Sequence, residues 1–338
     1  MTKLAQMIMD DAKKSITGVD FRELKNKTIL ITGASGVIGT YFLAGLNYAP
    51  KVKIYAVCQS QPEKYWKEIT KSLKATALKG DLCDDNFANS LPEADIIIHA
   101  AGYASPGKFM STPLKTLRLN TAVTLKLLEK LKPGGKFLFM SSSEVYSGAT
   151  PPYKESQIGT TNTEHPRSCY IEAKRCGEAI IYSARTNGTD AKSVRGSLVY
   201  GPGTRLDDRR VLHSFINRAM TEKKIDMMDN GSALRTYCYV TDTVQTMWNI
   251  LLKGKDNIYN VGGISRTTIA DLARLVGKIL KVPVNMPKKI GKQALVGAPE
   301  DVSLNLDKIK KEFGKKDFIS LEEGVKKTIN WQKELYNS

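Results

Sequence analysis

A short β-branched run that leads directly into three glycines constrains the fold of this chain more than any other segment. The run Thr28–Thr32 has the composition of a buried parallel strand. Glycines follow at 33, 36 and 39, and the apolar stretch Thr40–Leu46 has the pattern of a helix. We therefore predict a strand, a tight turn and a helix in that order, which is how a doubly wound α/β domain begins.

Each of the three glycines has its own predicted task. Gly33 permits the tight turn, Gly36 lets the backbone approach a pyrophosphate, and Gly39 lets the helix pack close to the strand. The helix N-terminus then offers free N–H groups to phosphate. A tight turn without a ligand is the alternative, but the strand before and the helix after favour a dinucleotide site. The residues predicted to bind the dinucleotide here are Gly33, Ser35, Gly36, Val37, Ile38 and Gly39.

Short apolar runs alternate with helical patterns between residues 28 and 198, which indicates βαβ units and a parallel sheet. The predicted strands are Thr28–Thr32, Lys53–Cys58, Thr76–Lys79, Ile96–Ala100, Lys136–Ser141 and Ala191–Leu198, with Thr236–Val240 later in the chain. The predicted long helices are Pro113–Leu131 and Ser168–Arg185, followed by Thr268–Leu280.

The pattern becomes irregular after Gly201-Pro-Gly203, and no repeat or low-complexity linker separates two halves. We predict a Rossmann-like doubly wound parallel sheet with a smaller, interleaved α/β substrate-binding lobe. Residues 1–26 are predicted to form a helical arm, and residues 27–197 with about 237–262 the NAD(P)-binding domain. Residues from about 198 to 236, with 263–338, are assigned to the smaller lobe.

The net charge of +17 raises the question of nucleic-acid binding. The lysines are spread along the chain, and no arginine-rich arm or nucleic-acid motif is present. Attraction of an anionic small molecule is therefore favoured over nucleic acid. No apolar run approaches the roughly 18 residues that span a membrane, and residues 1–27 lack an apolar signal core, so a cytoplasmic location is predicted. The five cysteines and three histidines show no metal-site or disulfide spacing.

Tyr170 and Lys174 lie one helical turn apart if their segment is helical. A nearby ammonium favours phenolate over phenol, so that a group with a pKa of about 10 becomes a usable base near neutrality. A surface pair is the alternative for this spacing alone. The strand–glycine–helix segment elsewhere in the chain favours the catalytic interpretation.

Ligands bind beyond the carboxyl ends of the strands in open parallel sheets. Gln59 follows the second strand, where an acid that grips the adenosine ribose would be expected, so the choice between NAD and NADP stays open. Asp81 follows the third strand and is either an adenine contact or a solvated turn residue. His99 ends the fourth strand and is more typical of a structural histidine. The small residues Ala100, Ala101 and Gly102 would let a flat cofactor lie close.

The fifth strand ends in Ser141-Ser-Ser-Glu-Val-Tyr146. Hydroxyls here could bind a substrate oxygen beside the Tyr170 phenol, and Glu144 adds a carboxylate. A serine cluster that caps the next helix is the alternative. The Tyr/Lys pair that follows favours the catalytic interpretation.

Together these residues resemble the extended short-chain dehydrogenase/reductase family, in its branch that modifies nucleotide sugars. The resemblance rests on TGASGVIG (32–39), GDL (80–82), HAAG (99–102), Asn120, SSSEVY (141–146), YIEAK (170–174), VYGPG (199–203) and RTYCYVTD (235–242). Several segments look most like UDP-glucuronate decarboxylases, namely Ala104-Ser105-Pro106, Ser143-Glu144-Val-Tyr146 and Pro166–Arg175. The 4,6-dehydratases carry an Asp-Glu pair in place of Ser143-Glu144, and the 4-epimerases usually have a small residue in place of Glu144.

The resemblance implies NAD as cofactor, with NADP not excluded, a nucleotide-sugar substrate and a homodimer formed through Pro113–Leu131 and Ser168–Arg185. The implied catalytic residues are Tyr170, Lys174, Ser142 and Glu144. Further implied cofactor contacts are Gln59, Asp81, Leu82, Ala100, Ala101, Gly102, Asn120, Tyr170 and Lys174. The implied substrate contacts are Ser105, Lys115, Ser143, Glu144, Arg210 and Arg235. Leu198 stands where the family usually has an Asn near the substrate diphosphate, which leaves the nucleotide sugar open.

By this resemblance Tyr170 takes the proton of the sugar O4, Ser142 hydrogen-bonds that oxygen, and NAD accepts the C4 hydride. A ketone at C4 then makes a C6 carboxylate a β-keto acid that loses CO2. An epimerase, dehydratase or 4-dehydrogenase acting on another nucleotide sugar is the nearest alternative. A non-catalytic NAD(P)- or nucleic-acid-binding scaffold is a more distant one.

Overall fold

Strands and helices alternate along the computed structural model, which describes residues 1–103, 105–287 and 299–337. Its strands are β1 Thr28–Thr32, β2 Lys53–Cys58, β3 Thr76–Lys79, β4 Ala94–His99, β5 Leu131–Ser142, β6 Asp190–Gly196, β7 Val199–Tyr200, β8 Ile225–Asp226, β9 Leu234–Tyr239, β10 Ile258–Val261, β11 Ser265–Thr268, β12 Val284–Asn285 and β13 Asp301–Val302. Its helices are α1 Lys3–Ala12, α2 Val37–Gly45, α3 Lys64–Ser72, α4 Asp85–Ser90, α5 Pro106–Ser111, α6 Pro113–Asn120, α7 Ala122–Glu129, α8 Ser168–Thr186, α9 Val211–Thr221, α10 Val240–Lys253, α11 Ile269–Leu280, α12 Asp307–Phe313 and α13 Leu321–Tyr336.

Seven strands form one parallel sheet in the order β10-β6-β5-β4-β1-β2-β3, which confirms the predicted fold class. The chain builds β1, β2 and β3 outward in one direction and then returns to place β4, β5 and β6 on the other side of β1. The order therefore reverses between β1 and β4, whose carboxyl ends border the crevice where such sheets bind ligands. Strands β1 to β3 have the predicted bounds, and the later strands differ by a few residues.

The predicted helix Pro113–Leu131 is in fact two helices that break at Thr121, where φ is −116° and ψ is −83°. Polar side chains around the break bond back to carbonyls one turn earlier: Asn120 Nδ2 donates to the Thr116 carbonyl at 2.8 Å and Thr121 Oγ1 to that of Leu117 at 2.8 Å. Such bonds compete with the helical ladder and bend helices. Leu131 already belongs to β5.

A smaller lobe is interleaved with the large sheet. In this lobe β7, β11 and β13 pair with β9, and β12 pairs with β8. The chain returns to the large sheet in between, because β10 follows β9 along the sequence and pairs with β6. Residues from one lobe also cross to the other, since the Tyr153 N–H donates to the Ser303 carbonyl at 2.9 Å. The predicted residue bounds of the lobes stay a prediction, and within them Ala104, 288–298 and 338 lie outside the described residues. No helix of the described ranges is long and apolar enough to cross a membrane.

The N-terminal helix is fastened to both lobes through a buried carboxylate. The apolar face of α1 packs with Leu4, Ile8 and Met9 buried, and Asp11 next to them is 8 % exposed. The Asp11 carboxylate accepts hydrogen bonds from the hydroxyls of Tyr41 at 2.9 Å and Tyr239 at 2.6 Å, and from Lys327 Nζ at 2.6 Å. These donors belong to α2, β9 and α13, so one side chain joins elements of both lobes.

We expect Asp11→Leu to lower the free energy of unfolding by about 3 kcal/mol, because two buried hydroxyls and an ammonium lose their acceptor. Asp10→Leu is the matched control, since the Asp10 side chain is exposed and interacts with Lys13 and Gln6 at the surface. That control should change stability by less than about 0.5 kcal/mol. Urea titration measures both, and equal effects of the two variants would contradict the prediction.

Candidate active site

The three glycines of the β1–α2 turn have three different surroundings. Gly33 has φ +65°, and a Cβ there would lie 2.7 Å from the backbone of Ala100. A Cβ at Gly39 would lie 2.3 Å from the Gly33 carbonyl oxygen, so helix and turn touch directly. At Gly36, which caps α2, the nearest described atom is that same oxygen at 3.3 Å. The backbone is thus left accessible at Gly36 and crowded at the other two positions.

The turn is also held by a residue that the sequence did not single out. Trp66 Nε1 on α3 donates to the Ala34 carbonyl at 2.7 Å. Gly36 is exposed, and the half-buried Ser35, Val37 and Ile38 flank it, with α2 beginning at Val37. An accessible helix N-terminus in a fixed turn is a geometry that suits an anionic group.

Asp81 and Lys115 form an ion pair beyond the end of β3. Burial opposes ionisation of Asp81, but the hydrogen bonds from Lys115 and from the Cys83 N–H, at 3.0 Å, bring the pKa of its carboxyl below the ordinary value. The side chain of Gln59 hydrogen-bonds to the same carboxylate, and Leu82 is buried beside it. Lys115, expected among the substrate contacts, therefore lies with the predicted cofactor residues and not in the arginine cluster described below.

His99 is a structural residue at the end of β4. Its Nε2 lies 3.1 Å from the Leu119 carbonyl, which can only accept, so Nδ1 accepts from Thr32 Oγ1 at 2.7 Å. Burial, with a contribution from the nearby Lys174 charge, lowers the pKa of His99 to about 3. The ring is therefore neutral and fully hydrogen-bonded.

Small residues and a buried amide surround the crevice next to His99. The backbone of Ala100 and Ala101 lies against Gly33, and a Cβ on Gly102 would lie 3.6 Å from Lys174 Nζ. The Asn120 side chain is fully buried, and its Oδ1 has no hydrogen-bond partner among the described residues. The predicted small residues are thus brought together with Lys174 at the switch point of the sheet.

Tyr170 and Lys174 lie on α8 as predicted, and both are buried. Lys174 Nζ donates to the Met140 carbonyl of β5 at 2.5 Å and lies 5.6 Å from the centroid of the Tyr170 ring. Burial lowers the pKa of Lys174 to about 7, although the negative charge of Glu178 acts to raise it.

The pKa of Tyr170 moves in the direction opposite to that expected from a nearby ammonium. Burial raises it to about 12, although a hydrogen bond with Ser142 and the positive charges of Arg167 and Arg210 act to lower it. The phenol therefore stays protonated near neutrality in these surroundings alone, and its use as a base stays a prediction. Desolvation of the phenolate outweighs the neighbouring charges.

Glu144 is held next to Ser142 by the turn that ends β5. Ser142 Oγ accepts from the Glu144 N–H at 3.2 Å, and the carboxylate of Glu144 is ion-paired with Arg167. Burial raises the pKa of Glu144, while Arg167 and Arg235 oppose the shift. Ser143 and Glu144 line a small cleft with Tyr153, Pro299 and Val302.

Arg167 was not among the predicted site residues. Its side chain is 7 % exposed and lies over the ring of Phe109, with 5.5 Å between guanidinium and centroid. Phe109 in turn stacks on Tyr170, with centroids 4.5 Å apart. Arg167 was part of the Pro166–Arg175 resemblance, but no spacing rule links it to Glu144, 23 positions earlier in the chain.

Two predicted arginines complete a positively charged cluster. Arg210, at the start of α9, pairs with Asp208 at 2.6 Å and donates to the Val199 carbonyl at 3.1 Å. Arg235 on β9 donates to the Leu234 carbonyl at 2.7 Å, and burial lowers its pKa although Tyr237 and Glu144 act to raise it. Ser105 is the N-cap residue of α5, the helix that carries Phe109.

Curated relatives of known activity align with most of this chain. UDP-glucuronic acid decarboxylase 6 of Arabidopsis thaliana is 28% identical over 313 residues, covering 89% of this chain and 87% of that protein. UDP-glucuronic acid decarboxylase 1 of Xenopus tropicalis is 28% identical, covering 93% and 74%. A dTDP-4-dehydro-6-deoxy-D-allose reductase of Streptomyces sp is 27% identical, covering 90% and 96%.

Solved structures share the fold. An epimerase of Methanothermobacter thermautotrophicus superposes with a TM-score of 0.81 at 22% identity, covering 98% of this chain and 96% of that one. UDP-glucuronic acid 4-epimerase of Bacillus cereus, in complex with UDP-glucuronic acid and NAD, gives 0.76 at 22% identity, covering 91% and 100%.

A family model described as the NAD dependent epimerase/dehydratase family matches residues 29–262. This match, with the decarboxylase relatives, confirms the predicted extended short-chain dehydrogenase/reductase resemblance and an NAD-dependent nucleotide-sugar enzyme at the level of the family. The chain therefore belongs to the NAD dependent epimerase/dehydratase family.

Proposed function

We propose that this protein oxidises C4 of a nucleotide-linked uronic acid such as UDP-glucuronate and then releases CO2 from C6. The observation that carries the proposal is the buried contact of Tyr170 with Ser142 beside the Glu144–Arg167 ion pair. The Tyr170–Ser142 pair suits abstraction of the proton from the C4 hydroxyl. The Glu144–Arg167 pair suits contact with the charged carboxylate at C6, two carbons away from C4.

The residues around the crevice fit a dinucleotide. The open backbone at Gly36 suits a pyrophosphate, and Asn120 Oδ1 is a buried acceptor without a described partner. We propose cofactor contacts from the β1–α2 turn, from Gln59, Asp81 and Leu82 at the adenosine end, and from Asn120, Tyr170 and Lys174 at the other. NAD, when bound, supplies the hydride acceptor for C4 and a positive ring charge.

The chain's own groups handle the proton of the O4 hydroxyl. The Tyr170 phenolate takes that proton as the C4–H bond breaks, and Ser142 donates a hydrogen bond to the same oxygen. Since burial raises the pKa of Tyr170 to about 12, the phenolate needs added positive charge to form at neutral pH. Lys174 over the ring, with Arg167 and Arg210 on the substrate side, is the charge the chain contributes.

Loss of CO2 follows from the C4 ketone. The C5–C6 bond breaks and CO2 leaves, while its electron pair delocalises into the C4 carbonyl as an enolate. A proton from water adds at C5, and return of the hydride to C4 with transfer of the Tyr170 proton back to O4 completes the product. The cluster of Arg167, Arg210 and Arg235 supports binding of a diphosphate and a carboxylate. We propose that Glu144 acts near C5 and C6, with Ser143, Arg210 and Arg235 as substrate contacts.

Oxidation, epimerisation or dehydration of another nucleotide sugar is the second candidate, and Leu198 favours it. Leu198 has φ +41°, a conformation that Asn tolerates better than Leu. An apolar side chain at this strained position removes an amide contact near the diphosphate that the family usually has. A catalytically silent scaffold has less support, because the structure brings Ser142, Tyr170 and Lys174 together.

A homodimer is proposed through the faces of α6, α7 and α8. Leu114, Leu125 and Tyr182 on these helices are 79%, 51% and 55% exposed. Exposed apolar side chains on adjacent helices are typical of an interface. The predicted cytoplasmic location stays a prediction.

Gly36→Val should abolish NAD binding and lower the melting temperature less than Gly39→Ala does, because a Cβ at Gly36 would meet one described atom within 4 Å, the Gly33 carbonyl oxygen at 3.3 Å. Gly39→Ala is the contrasting variant and should lower the melting temperature, since its Cβ would lie 2.3 Å from the Gly33 oxygen. Calorimetry and thermal unfolding measure the two effects. Unchanged NAD affinity in Gly36→Val would show that the pyrophosphate does not bind at this turn.

Tyr170→Phe should lower turnover by about 10²–10⁴-fold while NAD and substrate still bind, because general-base catalysis is lost. Tyr336→Phe provides a matched control, since Tyr336 is an exposed tyrosine at the end of α13. Steady-state rates and calorimetric affinities separate turnover from binding. Near-normal turnover in Tyr170→Phe would remove the phenol from the mechanism.

Carboxyl-labelled UDP-glucuronate should release labelled CO2 with the wild-type protein. Glu144→Gln should still oxidise C4 but slow the loss of CO2 and the steps that follow it. Enzyme-bound NADH should then accumulate, and its absorbance measures how much. Glu164→Gln, an exposed residue of the following loop, is the control. If NADH forms with a neutral nucleotide sugar and no labelled CO2 appears, the decarboxylase proposal fails and the second candidate takes its place.

A further inference from the structure

Glu178 carries a buried carboxylate one helical turn after Lys174 on α8, and the proposed mechanism does not use it. Its Oε1 accepts from Ser141 Oγ at 2.5 Å and from Arg195 Nε at 2.9 Å, and its Oε2 accepts from an Arg195 terminal nitrogen at 2.7 Å. The side chains of Glu178 and Arg195 are 6% and 3% exposed. A buried carboxylate with three donors in place has a fixed position.

Glu178 and Lys174 together fasten α8 to the end of β5. Lys174 donates to the carbonyl of Met140, and Glu178 accepts from the next residue, Ser141. Ser142, the predicted partner of the substrate O4, follows directly. Two polar contacts one helical turn apart therefore set the distance between the strand that carries Ser142 and the helix that carries Tyr170.

Arg195 fixes the orientation of the Glu178 carboxylate. The guanidinium donates to the carbonyls of Glu155 at 3.1 Å and Gln157 at 3.0 Å, and it lies 4.7 Å from the centroid of the Tyr146 ring. Tyr146 is itself held by Asn260 at 2.7 Å. The fixed elements around Glu178 thus include β6, β10 and the turn after β5.

The charged and titratable groups that face Lys174 come from several elements. On α8 they are Tyr170 and Glu178, and from β4 comes His99, which is neutral because burial lowers its pKa to about 3. Arg195 of β6 is bound to the Glu178 carboxylate. Among these groups the carboxylate of Glu178 favours the protonated lysine, while burial disfavours it.

We infer that Glu178 is a positioning residue of the catalytic centre, which ties the Ser142 strand to the Tyr170 helix and places a carboxylate one helical turn from Lys174. The inference rests on the proposed function for its effect on turnover. Its effect on Lys174 belongs to the protein alone and is measured without substrate.

The test compares Glu178→Gln with Glu172→Gln, a half-exposed residue of the same helix that pairs with Arg175. Lysine labelled with ¹³C at Cε reports the titration of Lys174 by NMR, assigned through Lys174→Arg. In Glu178→Gln the titration should move to lower pH, because the carboxylate that raises the pKa is gone. The alkaline limb of the kcat profile should move the same way, and kcat should fall about tenfold to a hundredfold with KM little changed. Glu172→Gln should match wild type.

Ser141→Ala separates the tether from the charge. It should lower kcat while the Lys174 titration stays at its wild-type position. Glu178→Gln leaves the buried Arg195 without its carboxylate partner and so risks failing to fold. In that case the double variant Glu178→Gln/Arg195→Gln, which removes both charges, is measured instead. An unchanged Lys174 titration in the variant that folds would overturn the inference, as would an unchanged kcat in both Glu178→Gln and Ser141→Ala. A wild type that turns over no nucleotide sugar would instead count against the proposed function, and the titration would still decide on Glu178.

Discussion

A lysine ammonium buried between a strand and a helix sets the requirements that the rest of the site meets. An isolated buried charge costs several kcal/mol in an apolar interior, so Lys174 needs acceptors close by. The Met140 carbonyl supplies one from β5, just beyond the last residue pair that β5 forms with β4, His99–Phe139. The parallel sheet is therefore more than a scaffold, since its fifth strand supplies the acceptor for the lysine of the helix.

Burial acts on Tyr170 and Lys174 in opposite senses, and this decides which of them titrates near neutrality. The pKa of the phenol is raised to about 12 and that of the amine is lowered to about 7. The amine is consequently the group of the pair whose charge responds to small changes at physiological pH, while the phenol stays protonated until positive charge is added. Spacing along a helix predicts that the two side chains meet but not how strongly each is desolvated.

Local patterns predicted the parts of the structure that local physics determines. A short stretch of sequence contains everything that determines the glycine turn, the strands β1 to β3 and the helix face shared by Tyr170 and Lys174. The turn follows from the positive φ that glycine allows, the strands from their β-branched runs, and the helix face from the four-residue spacing. The Glu144–Arg167 pair and the Asp11–Lys327 pair join residues 23 and 316 positions apart, and no window contains both partners. The Asp81–Lys115 pair is not predicted from the sequence for the same reason, because it depends on how α6 lies across the end of β3.

The charged side chains around Tyr170 restrict which substrates can bind more than the shape of the cleft does. Two of the three arginines are already paired within the protein, Arg167 with Glu144 and Arg210 with Asp208, and two unit charges about 4 Å apart interact by about 4 kcal/mol at the effective dielectric constant of a protein surface. A diphosphate would compete with these carboxylates for the arginines, and a uronic acid would bring a further negative charge to the same cluster. That carboxylate would be repelled by Glu144 if Glu144 were free, but Arg167 is already bound to Glu144 and partly neutralises it. Burial also raises the pKa of Glu144, so an approaching carboxylate would favour its protonated form and convert a repelling neighbour into a hydrogen-bond donor.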